Sequence, residues 1–499
     1  GVLETGEAPW MELEVPAGLK AARGNAVVYE KSAASGRSIC RAAKRESTMA
    51  KSPSDFINTD AKTVWHHLFK HEGKAPMIVV EGKGLRIKDI NGKEYLDATS
   101  GGVWCVNVGY GRDRIADAVC DQMKKMAYYA ASAGNLPAIE FSEKLLEYMP
   151  GLSRVYISNS GSEANEKAYK MIRQRAYNSG KKEKIKILYR YRDYHGTTIT
   201  ALSSTGQPER KDLFGPYTPG FVEVPHACCY RCAFGKTYPG CNLECATAIE
   251  DIIKKEGPDT VGGAIFEPIT AGGGIIPPVK EYYETVAAIC KKYDVKLIMD
   301  EVVCGIGRTG TMFGYQHYNV IPDVVTMAKG VASAYMPISC TVSTEDFFGS
   351  LQSSKDKLSY FRDISTFGGC AGGPTAALEN LKIIEEEKLL DNVKTMGEYL
   401  LAGLKETLDH PNVGDVRGKG LLTGIEYVAD KKSKTPLPEE KVIAMCGAMA
   451  ADGVLVGRTN RSFPNQNNIM NFAPAYIVTK DDIDTILKSL RKAIKTVLG

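Results

Sequence analysis

Short apolar runs alternate with amphipathic segments through the middle of the chain. Each run has the length and continuity of a strand that is buried on both faces. The runs lie at residues 155–157, 186–189, 263–268, 297–299 and 324–327. Between them, apolar residues recur at helical spacing, for example at 249–255 and 281–292. Strands that alternate with helices in this way predict a parallel, doubly wound α/β sheet.

Two of these runs are followed by a charged residue. Asp300 directly follows the run 297–299, and Lys329 comes two residues after the run 324–327. A bare charge is costly to bury, so each needs a partner. The carboxyl ends of parallel strands are also where α/β proteins bind ligands. A cofactor with a basic ring nitrogen and an aldehyde, such as pyridoxal phosphate, would partner both. A buried Asp300–Lys329 ion pair is the alternative that these residues leave open.

A turn of small residues precedes a predicted helix. The run Ser158-Asn-Ser-Gly-Ser-Glu-Ala-Asn165 follows a strand and leads into the helix. Ser160, Gly161 and Ser162 therefore lie at a helix N-terminus, where backbone N–H groups and the helix dipole favour anions. The pattern predicts a phosphate site. Simple helix capping by one of the serines, with Glu163 in the first turn, is the alternative.

Other polar and aromatic residues occupy similar junctions between strand and helix. Tyr194 and His195 open a helix after the run 186–189, and an aromatic side chain there can stack on a cofactor ring. Glu267 lies near the end of another buried run. Trp104 follows a glycine pair, where it can either line a pocket or belong to the core.

Two further motifs suggest different chemistry. Gly305-Ile-Gly-Arg-Thr-Gly310 matches the dinucleotide fingerprint, but the residues after it do not have a helical pattern, which argues against that site. The second motif is a cysteine-rich loop that contains Cys228, Cys229, Cys232, Cys241 and Cys245. Its spacing is compatible with a structural zinc site. An exposed loop of free thiols is the alternative.

Composition narrows the class of protein. A chain of 499 residues suggests two or three domains. The net charge of +4 is small, and no basic block alternates with aromatic residues, which argues against nucleic-acid binding. No apolar run approaches the ~18 residues of a membrane span. Thirteen scattered cysteines favour free thiols in a reducing compartment, and we expect a cytoplasmic protein.

Residues 1–48 differ from the rest of the chain. The segment 17–45 is rich in Ala, Arg, Ser and Lys, which resembles a transit peptide. Four glutamates before residue 15 do not fit that class. We interpret residues 1–48 as a leader or an artificial extension outside the fold.

A set of motifs resembles one known family, in family order. The motifs are Asn159-Ser-Gly-Ser-Glu-Ala-Asn165, Tyr194-His-Gly196, Glu267-Pro268, Asp300-Glu-Val302, Gly307-Arg-Thr-Gly310, Lys329-Gly330 and Ser365-Thr-Phe-Gly-Gly369. Together they resemble the class III (omega-amino acid) aminotransferases, fold-type-I enzymes that use pyridoxal phosphate. The likeness extends from about residue 60 to the C-terminus.

The resemblance implies an α/β fold with two domains. A large domain, residues 116–371, would bind the cofactor on a mostly parallel seven-stranded sheet between layers of helices. A smaller α+β domain would combine residues 49–115 and 372–499, from both ends of the chain. The family also forms homodimers with the active site at the subunit interface, and further pairing into tetramers stays open.

Roles for single residues also follow from the resemblance. Lys329 would condense with the cofactor aldehyde and shuttle the proton, and Asp300 would pair with the ring nitrogen. The remaining cofactor contacts would come from Ser160, Gly161, Ser162, Tyr194, His195, Glu267, Val302 and, across the subunit interface, Thr366. Trp104 and Arg458 would shape the substrate pocket, with Arg458 as the clamp for the substrate anion.

Departures from the family pattern bear on the substrate. Relatives that act on ornithine or 4-aminobutyrate carry a glutamate where this chain has Gly272, and an arginine where it has Asn471. The chain most resembles members that transfer the amino group of taurine to pyruvate. β-Alanine and simple amines are alternative donors. Two other hypotheses remain. The chain could catalyse a different reaction with the same cofactor, or it could be a non-catalytic binding protein with the same fold.

Overall fold

The computed structural model describes residues 51–352 and 357–499. The predicted leader, residues 1–48, lies outside the described residues. Within them, the chain forms one seven-stranded sheet and two smaller sheets. None of the described helices has both the length and the apolar composition that crossing a membrane requires.

The strands are numbered in chain order. They are β1 (Val79–Lys83), β2 (Arg86–Asp89), β3 (Glu94–Asp97), β4 (Arg154–Ser158), β5 (Lys186–Arg190), β6 (Phe221–Val224), β7 (Val261–Phe266), β8 (Lys296–Asp300), β9 (Val324–Met327), β10 (Ser339–Ser343), β11 (Val413–Lys419), β12 (Leu422–Asp430), β13 (Thr435–Pro436), β14 (Val454–Leu455), β15 (Gly457–Arg458) and β16 (Ile469–Phe472).

The α-helices are numbered in the same way. They are α1 (Pro53–Thr63), α2 (Asp113–Lys125), α3 (Leu136–Glu147), α4 (Gly161–Asn178), α5 (Ile199–Ser203), α6 (Pro208–Lys211), α7 (Glu244–Glu256), α8 (Glu281–Lys292), α9 (Glu345–Ser350), α10 (Gly372–Glu386), α11 (Leu389–Lys405), α12 (Glu439–Ala451) and α13 (Lys480–Leu498). Short 3-10 turns lie at Gly314–His317, Lys329–Ala332, Thr366–Gly369 and Glu406–Asp409.

Local sequence explains where several helices begin. The side chains of Ser52 and Thr479 accept hydrogen bonds from the backbone N–H of the third residue of α1 and α13. That residue is an aspartate in both helices, and its carboxylate accepts a hydrogen bond from the backbone N–H of the N-cap residue. Asn135 accepts a bond from Ala138 at the start of α3. These bonds satisfy N–H groups that have no partner inside a helix, so they define the helix start.

The large sheet has the strand order β4-β10-β9-β8-β7-β5-β6. Neighbouring strands run parallel from β9 to β6, whereas β10 runs antiparallel to both β4 and β9. The prediction of a mostly parallel seven-stranded sheet is therefore confirmed. Its order places β8 and β9 side by side, so the residues that end these strands face the same edge of the sheet.

Both faces of this sheet are buried. Leu297 and Met299 of β8 belong to one apolar cluster, and Ile298 between them belongs to another. Side chains alternate between faces along a strand, so the two clusters cover opposite faces. This explains why the central strands have continuous apolar sequences instead of alternating ones.

The smaller sheets join segments that are distant in sequence. In the sheet β1-β2-β3-β14, Val454 of β14 pairs in parallel with Leu96 of β3. A second sheet has the order β11-β12-β16-β15, and β13 pairs with β12 outside that path. Segments from both ends of the chain thus share one sheet, while the domain boundaries near residues 115 and 371 stay a prediction.

Candidate active site

The carboxyl ends of β8 and β9 border a cavity of about 390 Å³. Its volume is in the usual range for small-molecule sites. The predicted site residues that line it are Ser160, Gly161, Ser162, Tyr194, His195, Asp300, Val302 and Lys329. Four other predicted residues are not part of its lining, namely Trp104, Glu267, Thr366 and Arg458. The structure therefore brings together most of the residues that the sequence predicted for the cofactor.

Asp300 is buried at the end of β8 and held by three donors. Its Oδ2 lies 2.7 Å from Nδ1 of His195 and accepts a bond of 2.8 Å from Nδ2 of Asn165. Its Oδ1 accepts from the backbone N–H of Val302 at 3.0 Å. Asn165 is itself oriented by Thr326, whose hydroxyl donates to Oδ1 of Asn165 at 2.6 Å. Donors that converge on a buried carboxylate stabilise its charge and fix its direction.

Lys329 follows β9 and lines the same cavity. Its backbone is left-handed, with a φ of 42°. Among the described residues, no hydrogen bond or ion pair engages its amine. Burial lowers the pKa of Lys329, although Asp300 and Glu267 act in the opposite direction. The alternative of a direct Asp300–Lys329 ion pair is therefore not seen, and the amine is available to a ligand.

The N-terminus of α4 forms another wall of the cavity. Ser160 is the N-cap residue, and its hydroxyl accepts a bond of 3.2 Å from the N–H of Glu163. The hydroxyl of Ser162 accepts from the N–H of Thr197 at 3.0 Å. Ser160 thus performs the capping role, while Ser162 and Gly161 remain on the cavity wall with the positive end of the helix dipole behind them. This arrangement suits an anion.

Two glycines allow close packing beside these serines. A Cβ at Gly161 would lie 3.0 Å from a methyl group of Val302. A Cβ at Gly196 would lie 2.4 Å from the hydroxyl of Ser162, and Gly196 has a φ of 142°. Only glycine fits the second position, since both space and backbone conformation exclude a side chain there.

Tyr194 and Glu267 are joined behind the cavity. The backbone N–H of Tyr194 donates to Oε1 of Glu267 at 2.8 Å, and that of Ala271 donates to Oε2 at 3.0 Å. Burial raises the pKa of Glu267 well above its usual range, and nearby Asp193 and Asp300 add to this effect. Glu267 is thus placed to position Tyr194, whose side chain reaches the cavity that Glu267 does not line.

Thr366 lies on the surface of the described chain, in a 3-10 turn. Its neighbours Ile364 and Phe367 are 85% and 66% exposed, and Tyr129, close to the same turn, is 62% exposed. Large apolar side chains that cluster on a surface commonly mark a protein–protein interface.

Trp104 is half-buried beside the cavity. Its indole N–H donates to Oδ1 of Asn471 at 3.3 Å. Asn471 occupies the position where some relatives were expected to carry an arginine. The next residue, Cys105, lines the cavity itself. Cys105 thus contributes a thiol to the wall, while the ring of Trp104 and the amide of Asn471 lie behind it.

Arg458 ends β15 and is engaged outside the cavity. Its Nη1 pairs with the carboxylate of Glu439 and also donates to the backbone oxygen of Thr459 at 3.1 Å. The predicted role as anion clamp requires a side chain that reaches the substrate. In this structure, the guanidinium instead joins β15 to the start of α12.

Sequence reasoning missed two residues that the structure places near the chemistry. Asn165 was noted only as the end of a motif, yet it bonds to Asp300. The guanidinium of Arg210 lies 5.1 Å from the ring centre of Tyr194 and has no carboxylate partner within the described chain. An asparagine in the second turn of the helix that follows the serine-rich turn was a usable signal for the first. The polar sequence around Arg210 contained no signal for the second.

The two motifs for other chemistry have structural explanations. No α-helix follows Gly305-Ile-Gly-Arg-Thr-Gly310, since the chain continues through turns and the 3-10 turn Gly314–His317 into β9. This geometry differs from that of the dinucleotide fingerprint, in which the last glycine opens a helix. In the part of the chain that the structure describes, no group of three or more His, Cys, Asp or Glu side chains is arranged to hold a metal ion, the cysteine-rich loop included.

Comparison with known proteins extends these observations to about nine-tenths of the chain. The family described as aminotransferase class III matches residues 69–494. The taurine–pyruvate aminotransferase of Bilophila wadsworthia is 55% identical over 451 residues, which cover 90% of this chain and 99% of that protein. The hypotaurine/taurine–pyruvate aminotransferase of Paracoccus denitrificans is 53% identical over 91% of this chain and 100% of that protein.

Solved structures show the same similarity. A Bacillus anthracis aminotransferase superposes with a TM-score of 0.86 at 37% identity, covering 89% of this chain and 98% of that one. An (S)-enantioselective omega-transaminase from Thermomicrobium roseum superposes with a TM-score of 0.85 at 33% identity, covering 90% and 100%.

Proposed function

The chain belongs to the class III aminotransferases, which depend on pyridoxal phosphate, and from this premise we propose that it transfers the amino group of taurine to pyruvate. The products would be sulfoacetaldehyde and L-alanine. The family and the cofactor predicted from the sequence are confirmed. The choice of taurine is supported by the names of the similar relatives, which cover nearly the whole chain.

The residues around the cavity fit pyridoxal phosphate. The free amine of Lys329 matches the aldehyde, the anchored carboxylate of Asp300 matches the ring nitrogen, and the N-terminus of α4 matches the phosphate. When bound, this cofactor serves as an electron sink and carries the amino group from donor to acceptor. The observation that carries the proposal is that the amine of Lys329, which has no partner among the described residues, lies in one cavity with Asp300.

Asp300 would keep the ring nitrogen protonated. The three donors that hold its carboxylate prevent it from rotating away, and they stabilise its negative charge. His195 and Asn165 therefore act through Asp300 and would not need to contact the cofactor. The ring faces would be covered by Tyr194 on one side and Val302 on the other.

Lys329 would act as the base that moves the proton. Its amine would remove the proton from the carbon that bears the donor's amino group, and would later return a proton in the half-reaction with pyruvate. A free lysine has a pKa of about 10.4 and is mostly protonated at neutral pH. Burial lowers the pKa of Lys329, which increases the fraction of neutral amine.

The phosphate would be bound by Ser160, Gly161 and Ser162, with Thr366 contributed by a second subunit. We propose a homodimer in which each active site contains residues of both chains. The exposed apolar residues beside Thr366, including Phe367, support this arrangement because a partner would cover them. A cytoplasmic location is part of the same proposal and rests on the many free thiols.

Trp104 and Arg458 remain our proposed substrate contacts. The planar fork of an arginine suits a sulfonate or carboxylate. For Arg458 to act as clamp, its side chain would leave Glu439 and turn towards the cavity. β-Alanine and simple amines are the alternative donors in the same family.

A panel of amines with pyruvate tests the proposal. Taurine, β-alanine, hypotaurine and an uncharged amine would be compared by the alanine formed, as kcat/KM. We expect taurine to lead. A higher kcat/KM for the uncharged amine would contradict the choice of donor, and a lack of alanine with every donor would contradict aminotransferase activity in this chain.

A further inference from the structure

A second, larger cavity of about 990 Å³ lies apart from the catalytic one. It is bordered by the cysteine-rich loop, by Arg417 of β11 and by Lys434 beside β13. Of the described residues, none lines both this cavity and the catalytic one. Arg192 lines it from the end of β5, only two residues before Tyr194 of the active site.

Cations dominate the lining of this second cavity. Its basic residues are Arg192, Arg231, Lys236, Arg417 and Lys434, beside His226. Three carboxylates balance part of this charge. Arg417 pairs with Asp415 at 2.7 Å and with Glu426 at 2.8 Å, and Arg231 also pairs with Glu426. Lys236 lies 3.4 Å from Glu244. Arg192 and Lys434 are thus the two cations without a carboxylate partner among the described residues.

Arg192 is only 4% exposed, so its charge is costly to bury without an anion. Its guanidinium donates to two neutral acceptors, the backbone oxygen of Gly273 at 3.2 Å and the side-chain oxygen of Gln466 at 2.6 Å. It lies 4.4 Å from the ring centre of Phe463. Its Nε has no hydrogen-bond partner in the described structure. The side chain is therefore held firmly, but its charge is not neutralised.

Lys434 is in a similar situation on the other side of the cavity. Its amine donates to the backbone oxygen of Tyr230 at 2.7 Å and lies 4.8 Å from the centre of that ring. Arg231 approaches the same ring at 5.6 Å. Arg231 is balanced by Glu426, whereas Lys434 has no carboxylate partner among the described residues and adds positive potential to this side of the cavity.

His226 responds to the same environment. Burial lowers its pKa to about 3, and the charges of Arg192 and Arg190 contribute to the shift. The imidazole is therefore neutral at physiological pH and adds no further charge. His226 therefore contributes a neutral polar side chain to the cavity wall.

We propose that this second cavity binds a phosphate group, either as free inorganic phosphate or on a small phosphorylated molecule. The two unbalanced cations match the two charges of a phosphate near neutral pH. Guanidinium groups suit its oxygens better than a single ammonium would. The volume exceeds that of one phosphate ion, so a phosphomonoester also fits. The proposal concerns a site beyond the transamination chemistry and does not depend on the donor.

Calorimetric titration of the holoenzyme tests the site, because the bound cofactor already fills the phosphate position at α4. Inorganic phosphate and glycerol 3-phosphate would be titrated separately. We expect saturable binding of about one ligand per chain. Equal affinities would identify the phosphate alone as the ligand, and tighter binding of the ester would identify a phosphorylated molecule. Both results support the proposal, whereas no saturable binding of either ligand would overturn it.

Matched variants locate the binding. Lys434→Gln removes an unbalanced cation and should weaken binding by about five- to tenfold, the size expected for loss of a charge-assisted contact. Lys432→Gln changes an exposed lysine two residues away and should leave it unaltered. Arg231→Gln, which also loosens Glu426, should weaken binding as well. Equal affinities of wild type and Lys434→Gln would overturn the assignment, even if phosphate binds elsewhere.

The result is separable from the proposed aminotransferase reaction. Binding of phosphate needs neither taurine nor pyruvate, so it can succeed when taurine is not the donor. Conversely, taurine turnover with no phosphate binding would contradict only the second site.

Discussion

The orientation of Asp300 depends on a chain of buried side chains that can be interrupted at one hydroxyl. Thr326 in β9 donates to Asn165, which in turn donates to Asp300. Thr326→Val keeps the shape of the side chain and removes only this donor. We expect the variant to bind pyridoxal phosphate more weakly, because the amide oxygen of Asn165 loses its partner, although Nδ2 keeps its bond to the backbone oxygen of His195.

The magnitude follows from the bonds involved. Thr326 and Asn165 are both fully buried, so the freed oxygen of Asn165 cannot find water. An unpaired buried acceptor costs about 1–3 kcal/mol, and a hydrogen bond to a charged group contributes about 1.5–3 kcal/mol. Asp300 retains His195 and Val302, so only part of its stabilisation is lost. We expect the dissociation constant of the cofactor to rise about three- to tenfold.

The chain contains a matched control on the neighbouring strand. Thr341 of β10 pairs with Thr326 in the sheet and is also buried. Its hydroxyl donates at 2.9 Å to the backbone oxygen of Ala164 and not to Asn165. Thr341→Val therefore removes a buried hydroxyl of the same kind without touching the contacts of Asp300.

Both variants would be prepared as apoenzyme and titrated with pyridoxal phosphate, followed by protein fluorescence and by the cofactor absorbance. Denaturant unfolding of the apo forms would report their stability separately. If Thr341→Val weakened the cofactor as much as Thr326→Val, the effect would come from general loosening of the sheet. Unchanged affinity in Thr326→Val would show that Asn165 does not need its hydroxyl partner to hold Asp300.

Four further predictions concern the active site and the second cavity. Lys329→Ala should abolish transamination while leaving the unfolding curve intact; retained turnover would exclude Lys329 as the base. Ser162→Ala should weaken cofactor binding by about 0.5–1.5 kcal/mol. Thr366→Ala should weaken it in the site of the partner subunit. In a mixed dimer of one Lys329→Ala chain and one Thr366→Ala chain, one site should therefore carry both substitutions. If the two sites of such a hybrid bound the cofactor equally, the contribution of Thr366 across the interface would be refuted. Arg458→Ala should raise KM for taurine and pyruvate by the factor that corresponds to a lost binding energy of about 1.5–3 kcal/mol, and it should leave the KM of an uncharged amine almost unchanged. An equal rise in KM for charged and uncharged donors would place the clamp elsewhere, with Arg461 the next candidate. The folded-state pKa of His226, about 3, lies below its unfolded value of about 6.5, so its contribution to stability is present above pH 6.5 and is lost as pH falls towards 3. His226→Gln should reduce that acid-induced loss in denaturant titrations, and an unchanged pH profile would contradict the shift.

Local sequence determined the framework of the site. The apolar runs that became β8 and β9 were recognisable because strands buried on both faces need continuous apolar residues. The serine–glycine turn before α4 was recognisable because an N-cap and its helix are neighbours in the chain. Asp300 and Lys329 stood out because a charge at the end of a buried strand requires a partner. Each of these signals lies within a few residues of the feature it predicts.

The partners of these residues were decided only by the tertiary structure. His195 and Asn165 reach Asp300 across 105 and 135 residues of sequence, and no local pattern relates such distant positions. The antiparallel placement of β10 between β4 and β9 was also absent from the sequence reading, since its polar run Ser339-Cys-Thr-Val-Ser343 lacks an apolar signal.

Arg458 shows the same limit for a charged side chain. The family resemblance implied an anion clamp at Arg458, but a guanidinium pairs with whichever carboxylate the fold brings near it, here Glu439 of α12. The second cavity is a further case, since Arg192 and Lys434 are 242 residues apart and become two unbalanced charges of one site only when the chain folds. Residue type and local spacing determine what a side chain can do, whereas packing between distant segments determines which group it meets.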